Sequence, residues 1–185
     1  MGTSKNFDGV LNDSTQFSGM LPERDIQKRV FAAYPTGVCV VTTDSELGPV
    51  GVTVGTVSSL SLEPPLVSWA LKKNSKRFKA FRDCQEICIH ILASHQAGMA
   101  RDFSDAGLEP FSGYSYQLSD FKTPLIENCP NRLVCRAWAS HDGGDHQLFV
   151  FRIIDVHLFE LQPLIYLNRQ FMTPLPASNG YYGGQ

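Results

Sequence analysis

Hydrophobic positions along this chain change period near Gly37. Before that point Ile26, Val30, Phe31 and Tyr34 recur at helical spacing. Pro22 suits a first helical turn, and Glu23 and Asp25 lie at the positive end of the dipole, so a helix is predicted that Pro35 ends. After it, residues 38–43, a turn-like segment 44–49 and residues 50–57 read as a β-hairpin with a multi-residue loop. Residues 66–71 give a third strand beyond the Pro64-Pro65 break. Asn74 or Ser75 then caps a short helix across Arg77, Phe78 and Phe81, and residues 86–92 return to strand.

A further helix is predicted over residues 95–103, and residues 104–130 show so little periodicity that they read as an irregular excursion. Residues 133–140 and 147–154 form a second hairpin, with the strand free to run on to Phe159. They are joined by His141-Asp-Gly-Gly-Asp-His146, where Gly143 and Gly144 permit positive φ. About six strands without βαβ alternation favour an antiparallel β-barrel over a doubly wound sheet. No Gly-x-Gly-x-x-Gly follows a strand, so any nicotinamide cofactor binds without the dinucleotide fingerprint. The predicted organisation is a polar arm over residues 1–20, one domain over 21–171 and a tail over 172–185. Phe7, Val10, Leu11 and Phe17 offer docking points for the arm, and Tyr181 and Tyr182 for the tail.

Composition narrows the function. With 43% hydrophobic and 18% charged residues, the 185-residue chain can bury a full core as one domain. A net charge of -2 provides no positive field to attract nucleic acid, and no apolar run approaches a membrane span. A soluble, cytoplasmic protein is expected. Five cysteines, an odd number without a Cys-x-x-Cys pair, read as reduced and mostly buried thiols. The five histidines lack metal-ligand spacing, so no metal is expected.

Thr36, Gly37 and Val38, with Thr53 to Thr56 and then Ser58 and Ser59, put hydroxyls and backbone N–H groups together with little bulk. Such a surface suits a flat polar ring and its phosphate. Each piece also has an ordinary reading. Pro35-Thr-Gly37 makes a helix-to-strand turn, Ser58-Ser59 a solvated strand edge, and Lys73-Asn-Ser75 a capped surface helix. Residues 142–145 equally make a plain hairpin tip. Phe103, Phe111, Tyr114 and Tyr116 form either a lid over a ring or a satellite hydrophobic cluster, and Cys84 and Cys88 read as packing residues.

Taken together, Tyr34-Pro-Thr-Gly-Val38, Thr53-x-x-x-x-Ser58-Ser59 and Ser61-Leu-Glu-Pro-Pro-Leu-Val67, then Lys73-Asn-Ser75, Gly144-Asp-His146 and Pro163-Leu-Ile-Tyr166, carry a resemblance. The order and spacing are similar to the flavin reductase family with the FMN-binding split β-barrel, the reductase components of two-component flavin-dependent monooxygenases. The resemblance covers residues 21–171. It implies a mainly β fold with short helices, a split antiparallel β-barrel, and a homodimer with FMN or FAD near the subunit interface. NADH or NADPH would be the hydride donor, and a separate monooxygenase would receive the reduced flavin. Alternatives are a flavoprotein that keeps its flavin to act on a small organic substrate, and a non-catalytic flavin-binding subunit.

Carried onto this chain, the resemblance puts Thr36, Gly37 and Val38 at the ring edge and Thr53, Val54, Gly55 and Thr56 along the ribityl chain or ring rim. Ser58, Ser59, Lys73, Asn74, Ser75 and Arg77 would meet the phosphate, which needs hydroxyls and cations to replace its water. Phe78 or Trp69 would add apolar area. His146 would position the donor or the flavin edge, with Asp145 holding the turn and orienting it. Tyr166 and Arg169 would close the site. Three departures bear on cofactor preference: Gly55 where many relatives carry Asn or Ser, His90 where Asn is common, and Leu167-Asn-Arg-Gln170 in place of an Arg-Gly pattern.

Overall fold

The computed structural model describes residues 24–46, 48–105 and 111–174. The arm over residues 1–20, the predicted first turn at Pro22 and Glu23, and Tyr181 and Tyr182 of the tail lie outside them. Helix α1 (Arg24–Ala32) leads into β1 (Thr36–Gly37), β2 (Cys39–Thr43), β3 (Val50–Val54), β4 (Ser58–Leu62) and β5 (Pro65–Lys72). Next come α2 (Phe78–Asp83), β6 (Glu86–Ile91), a 3-10 turn (Ser94–Gln96) and α3 (Ala97–Asp105). The chain continues through β7 (Tyr116–Leu118), β8 (Pro124–Ile126), β9 (Arg132–Gly143), β10 (His146–His157), β11 (Ile165–Leu167) and β12 (Gln170–Met172).

Seven strands form one sheet in the order β3-β2-β6-β9-β10-β5-β4, and every pair in it is antiparallel. Its two end strands, β3 and β4, are consecutive in the chain but not paired with each other, so the curved sheet stays open between them. β1, β11 and β12 make a separate three-stranded sheet beside that opening, and β7 and β8 a two-stranded one.

Side-chain alternation explains where the core sits. Strand β2 is buried along its whole length because both its faces are covered. Cys39 and Val41 join Trp69, Ile87, Ile89, Phe149 and Phe151 inside the barrel. Val40, with Val38 just before the strand, joins Met99, Ala100 and Phe103 of α3, and Ile126 and Leu164, outside it. Each fully buried aliphatic or aromatic side chain of this kind contributes roughly 1.5–3 kcal/mol. All five cysteines are free thiols, and burial pushes Cys39, Cys129 and Cys135 up to about 12.

Three expectations are corrected, and one strand was not expected in full: residues 58–62, read only as a solvated edge at Ser58-Ser59, form edge strand β4 on β5. Its Ser-Ser-Leu-Ser-Leu sequence hides it, because one partner is enough for an edge strand with neither face buried. The excursion over residues 104–130 contains the β7–β8 pair, with Leu118 opposite Pro124. The second hairpin turns over Gly144-Asp145 alone, since its strands extend to residues 143 and 146; Gly144 takes φ 77° while Gly143 pairs with His146. Helix α2 begins after Arg77, whose N–H donates to the Ser75 hydroxyl at 3.3 Å, so Ser75 supports the turn from outside the capping position.

Candidate functional site

A cleft of about 680 Å³ opens where β3, α3 and the β11–β12 hairpin meet. Val38, Thr53, Val54 and Gly55 form one wall; Tyr166, Arg169, Gln170 and Phe171 form another; Arg101 and Ser104 of α3 close the side. Local packing sets the shape of each wall. A Cβ on Gly55 would stand 2.8 Å from Thr36 Oγ1, so with glycine here the chain just after β3 lies against β1 with the Thr36 hydroxyl in its present rotamer. Thr36 and Gly37 in turn pair with Tyr166 and Ile165 of β11, which brings the carboxyl-terminal hairpin to the same opening. Thr53 donates its hydroxyl to Ala100 O at 2.8 Å and so fastens β3 to α3; the oxygen lone pairs remain for a ligand.

Thr56 carries the wall toward a second cluster. Its hydroxyl donates to Ala70 O at 3.2 Å and accepts from Ala70 N at 3.1 Å, completing the edge of β5 where β4 no longer pairs. Ala70 lies opposite Leu148, and Lys72 opposite His146, at the tip of the long hairpin. There Asp145 Oδ1 accepts from His146 Nδ1 at 2.6 Å, and this bond holds the Asp145 carboxyl below its ordinary range. An ionised carboxylate only accepts, so Nδ1 carries a proton in this bond, which leaves Nε2 as the acceptor whenever the ring holds a single proton. Lys73 Nζ pairs with Asp142 Oδ2, and Lys73 N donates to Asp145 O at 3.0 Å. Asp142 also accepts from Gly144 N at 3.0 Å.

The expected site residues thus divide. Val38, Thr53, Val54, Gly55, Tyr166 and Arg169 line the cleft, and Thr36 and Gly37 stand behind it. Asp145, His146 and Lys73 gather at the hairpin tip. Ser58 and Ser59 are exposed on β4, and Asn74 and Ser75 lie in the turn after β5. Arg77 lines a different cavity, of about 370 Å³, behind α2. Phe78 packs against the core near Phe149. Trp69 supplies no ligand surface: it is fully buried between Phe81 and Phe149.

The aromatic group takes the cluster arrangement. Phe103 is fully buried with Phe111 and Tyr114 at 5.2 and 5.3 Å, and its ring fills the space over Gly51, where a Cβ would come within 2.4 Å. His90 is fully buried beside Thr42 Oγ1 and Pro124 O, away from the cleft, and burial lowers its pKa to about 4.

Arg101, Ser104, Gln170 and Phe171 escaped the sequence reading. Arg101 and Ser104 were legible as the polar side of α3, three residues apart, once Ala100 and Phe103 are recognised as its buried side. The combination fits a nucleotide bearing a flat ring: a cleft of suitable size, aromatic rings at Tyr166 and Phe171, hydroxyl and amide groups, and two guanidinium groups.

The sequence matches the flavin reductase like domain over residues 31–174. The chain belongs to that family. As a flavin reductase-like domain it is 33% identical over 144 residues to the FMN reductase (NADH) SmoA of Agrobacterium fabrum, covering 78% of this chain and 82% of that protein. It is 28% identical over 145 residues to the flavin-dependent monooxygenase reductase subunit HsaB of Rhodococcus jostii, covering 78% and 74%. The NADH:FAD oxidoreductase of Streptomyces globisporus, solved in complex with NAD and FAD fragments, superposes with a TM-score of 0.79 at 27% identity, covering 85% of this chain and 96% of that one. The mainly β, antiparallel split architecture of this flavin reductase-like domain is therefore shared with solved flavin reductases.

Proposed function

We propose that the protein is an NAD(P)H:flavin oxidoreductase that binds FMN or FAD in the cleft, reduces it, and supplies it to a separate flavin-dependent monooxygenase. The observation that carries this reading is the convergence of Val38, Gly55 and Tyr166, from three distant sequence segments, on one nucleotide-sized cleft. Relatives named as NADH-dependent FMN reductases and monooxygenase reductase subunits support the activity and the partner. The flavin, when bound, supplies the two-electron redox chemistry; the protein supplies position and electrostatics. Val38 and Val54 keep one wall apolar, Thr53 offers lone pairs, and Asp145 holds the His146 ring in one tautomer with Nε2 turned to accept or to orient.

In this reading the domain spans residues 21–171, between an arm over 1–20 and a tail over 172–185, and works in the cytoplasm as a homodimer. Exposed Leu60, Leu62, Trp138 and Val156 give a second copy apolar surface to cover. Among the described residues no helix is long and apolar enough to cross a membrane.

Anaerobic rapid mixing with NADH or NADPH, each with FMN or FAD, tests the activity. Bleaching of flavin absorbance near roughly 450 nm is expected, since that band belongs to the oxidised cofactor; its absence in all four pairings would sink the assignment. His146→Ala is expected to slow reduction more than it weakens flavin binding. Equal losses in both would remove His146 from its positioning role.

A further inference from the structure

We propose that Arg101 and Arg169 form a clamp for a phosphate of the bound nucleotide, on the α3 and β11–β12 side of the cleft. This rests on the flavin reductase reading and changes where that reading puts the phosphate. The cations first expected there are engaged elsewhere. Lys73 is paired with Asp142 at the hairpin tip, and Arg77 lines the cavity behind α2, where Lys76 and Lys79 face Asp44, Glu46 and Asp83. Among the described residues lining the cleft, the cationic side chains are Arg101 and Arg169.

Both are placed to receive an anion. The Arg101 guanidinium lies over the Phe171 ring, with Cζ 5.4 Å from the centroid. Stacking steadies the planar group while leaving its in-plane N–H donors available. Arg169 sits at a two-residue turn in which Asn168 and Arg169 take φ 49° and 62°, with Leu167 opposite Gln170. That turn is anchored to α1, because Asn168 N donates to Ala32 O at 2.7 Å.

Among the described residues neither guanidinium has a carboxylate within ion-pair distance. Of the described acidic side chains near them, Asp25 pairs with Lys28 at 3.0 Å, and Asp102 accepts the Tyr114 hydroxyl. A phosphate taken from water needs charge-assisted donors in place of its hydration, and two forked guanidiniums supply them. The shared chemistry is a nucleotide phosphate ester, borne either by the flavin or by the nicotinamide dinucleotide.

The test measures binding to the full chain by calorimetry for riboflavin, FMN and FAD, and then for the unreactive oxidised dinucleotides NAD+ and NADP+ with riboflavin present. It compares wild type with Arg101→Gln, Arg169→Gln and the charge-retaining Arg101→Lys. If the flavin phosphate is clamped, each Gln variant loses about tenfold or more in FMN affinity while riboflavin affinity holds. If the dinucleotide phosphate is clamped, the flavin series is unchanged and nicotinamide affinity falls by a similar factor. In either case Arg101→Lys falls between wild type and Gln, and the salt dependence of the affected affinity flattens in the Gln variants. Circular dichroism and melting curves confirm that each variant folds. Wild type binding flavin while both Gln variants match it in every arm would overturn the clamp alone. Wild type binding no flavin at all would overturn the functional reading as well.

Discussion

The two parts of the candidate site are held by different forces. The cleft wall is fixed by close packing: Phe103 against Gly51, Thr36 against Gly55, and Thr53 tied to α3. The hairpin tip is held by exposed charges and turn hydrogen bonds, with Asp142 on Lys73 and Gly144, and Asp145 on His146. Packing resists small errors in position at a high cost in stability. Surface charge pairs contribute little stability and are weakened by salt. The cleft wall is therefore the part that holds one shape, and the tip the part whose side chains can readjust.

Breaking the packed side gives the largest effect. Phe103→Ala removes a fully buried ring and is expected to cost about 3–5 kcal/mol, read as a fall in urea midpoint at constant slope. A loss near that of a surface substitution would show that α3 does not seal β3.

The buried face of β6 gives the next effect, through pH. His90 has a folded pKa lowered to about 4 by burial, against about 6.5 when unfolded, so the unfolded chain binds the extra proton first. Its contribution is fully present above pH 6.5 and is lost as pH falls toward 4, a drop of roughly 3 kcal/mol in unfolding free energy. His90→Asn should flatten that part of the stability profile. An unchanged slope would mean that other groups carry the acid sensitivity.

Gly51→Ala comes third, at about 1–3 kcal/mol, because the added methyl meets the Phe103 ring and that ring is packed against Phe111 and Tyr114. Pairing it with Phe103→Leu sharpens the comparison: the double variant should recover part of the loss, and strict additivity would show that the contact is not shared. The tip gives the smallest effect on folding. Asp142→Asn is expected to leave the melting temperature within measurement error while making flavin reduction less sensitive to ionic strength, because the pair that salt weakens is already gone. A clear loss of thermal stability would make the tip part of the structural frame.

The legible parts of the fold were those with strong local periodicity. The β2–β3 hairpin, β5, β6 and the long β9–β10 hairpin follow from β-branched and aromatic runs between turn residues, and α3 from its apolar spacing. Strands β4, β7, β8, β11 and β12 carry three to five residues each, with serines and isolated aromatics that pair only because a partner edge is waiting. Isolated short strands have no stability of their own, so nothing local announces them.

The site shows the same division. Motif order picked out Val38, the 53–55 segment, Tyr166 and Arg169, all of which reach the cleft. Lys73 and Arg77 are neighbours in sequence and looked equivalent as phosphate ligands, yet they serve different places, one paired to Asp142 and the other lining the cavity behind α2. Arg101 lies within the helix predicted over residues 95–103, where nothing local marks it, and stands in the cleft.

The sequence by itself determined the strand-rich class, the positions of the main turns and the family, because each depends on residue type at short spacing. Only the tertiary structure decided which glycine yields to a ring and which to a threonine, and which cations stay available once their carboxylate neighbours are in place. Steric fit and charge pairing are properties of distance in space, and distance in space is set when the sheet curls and brings its remote segments together.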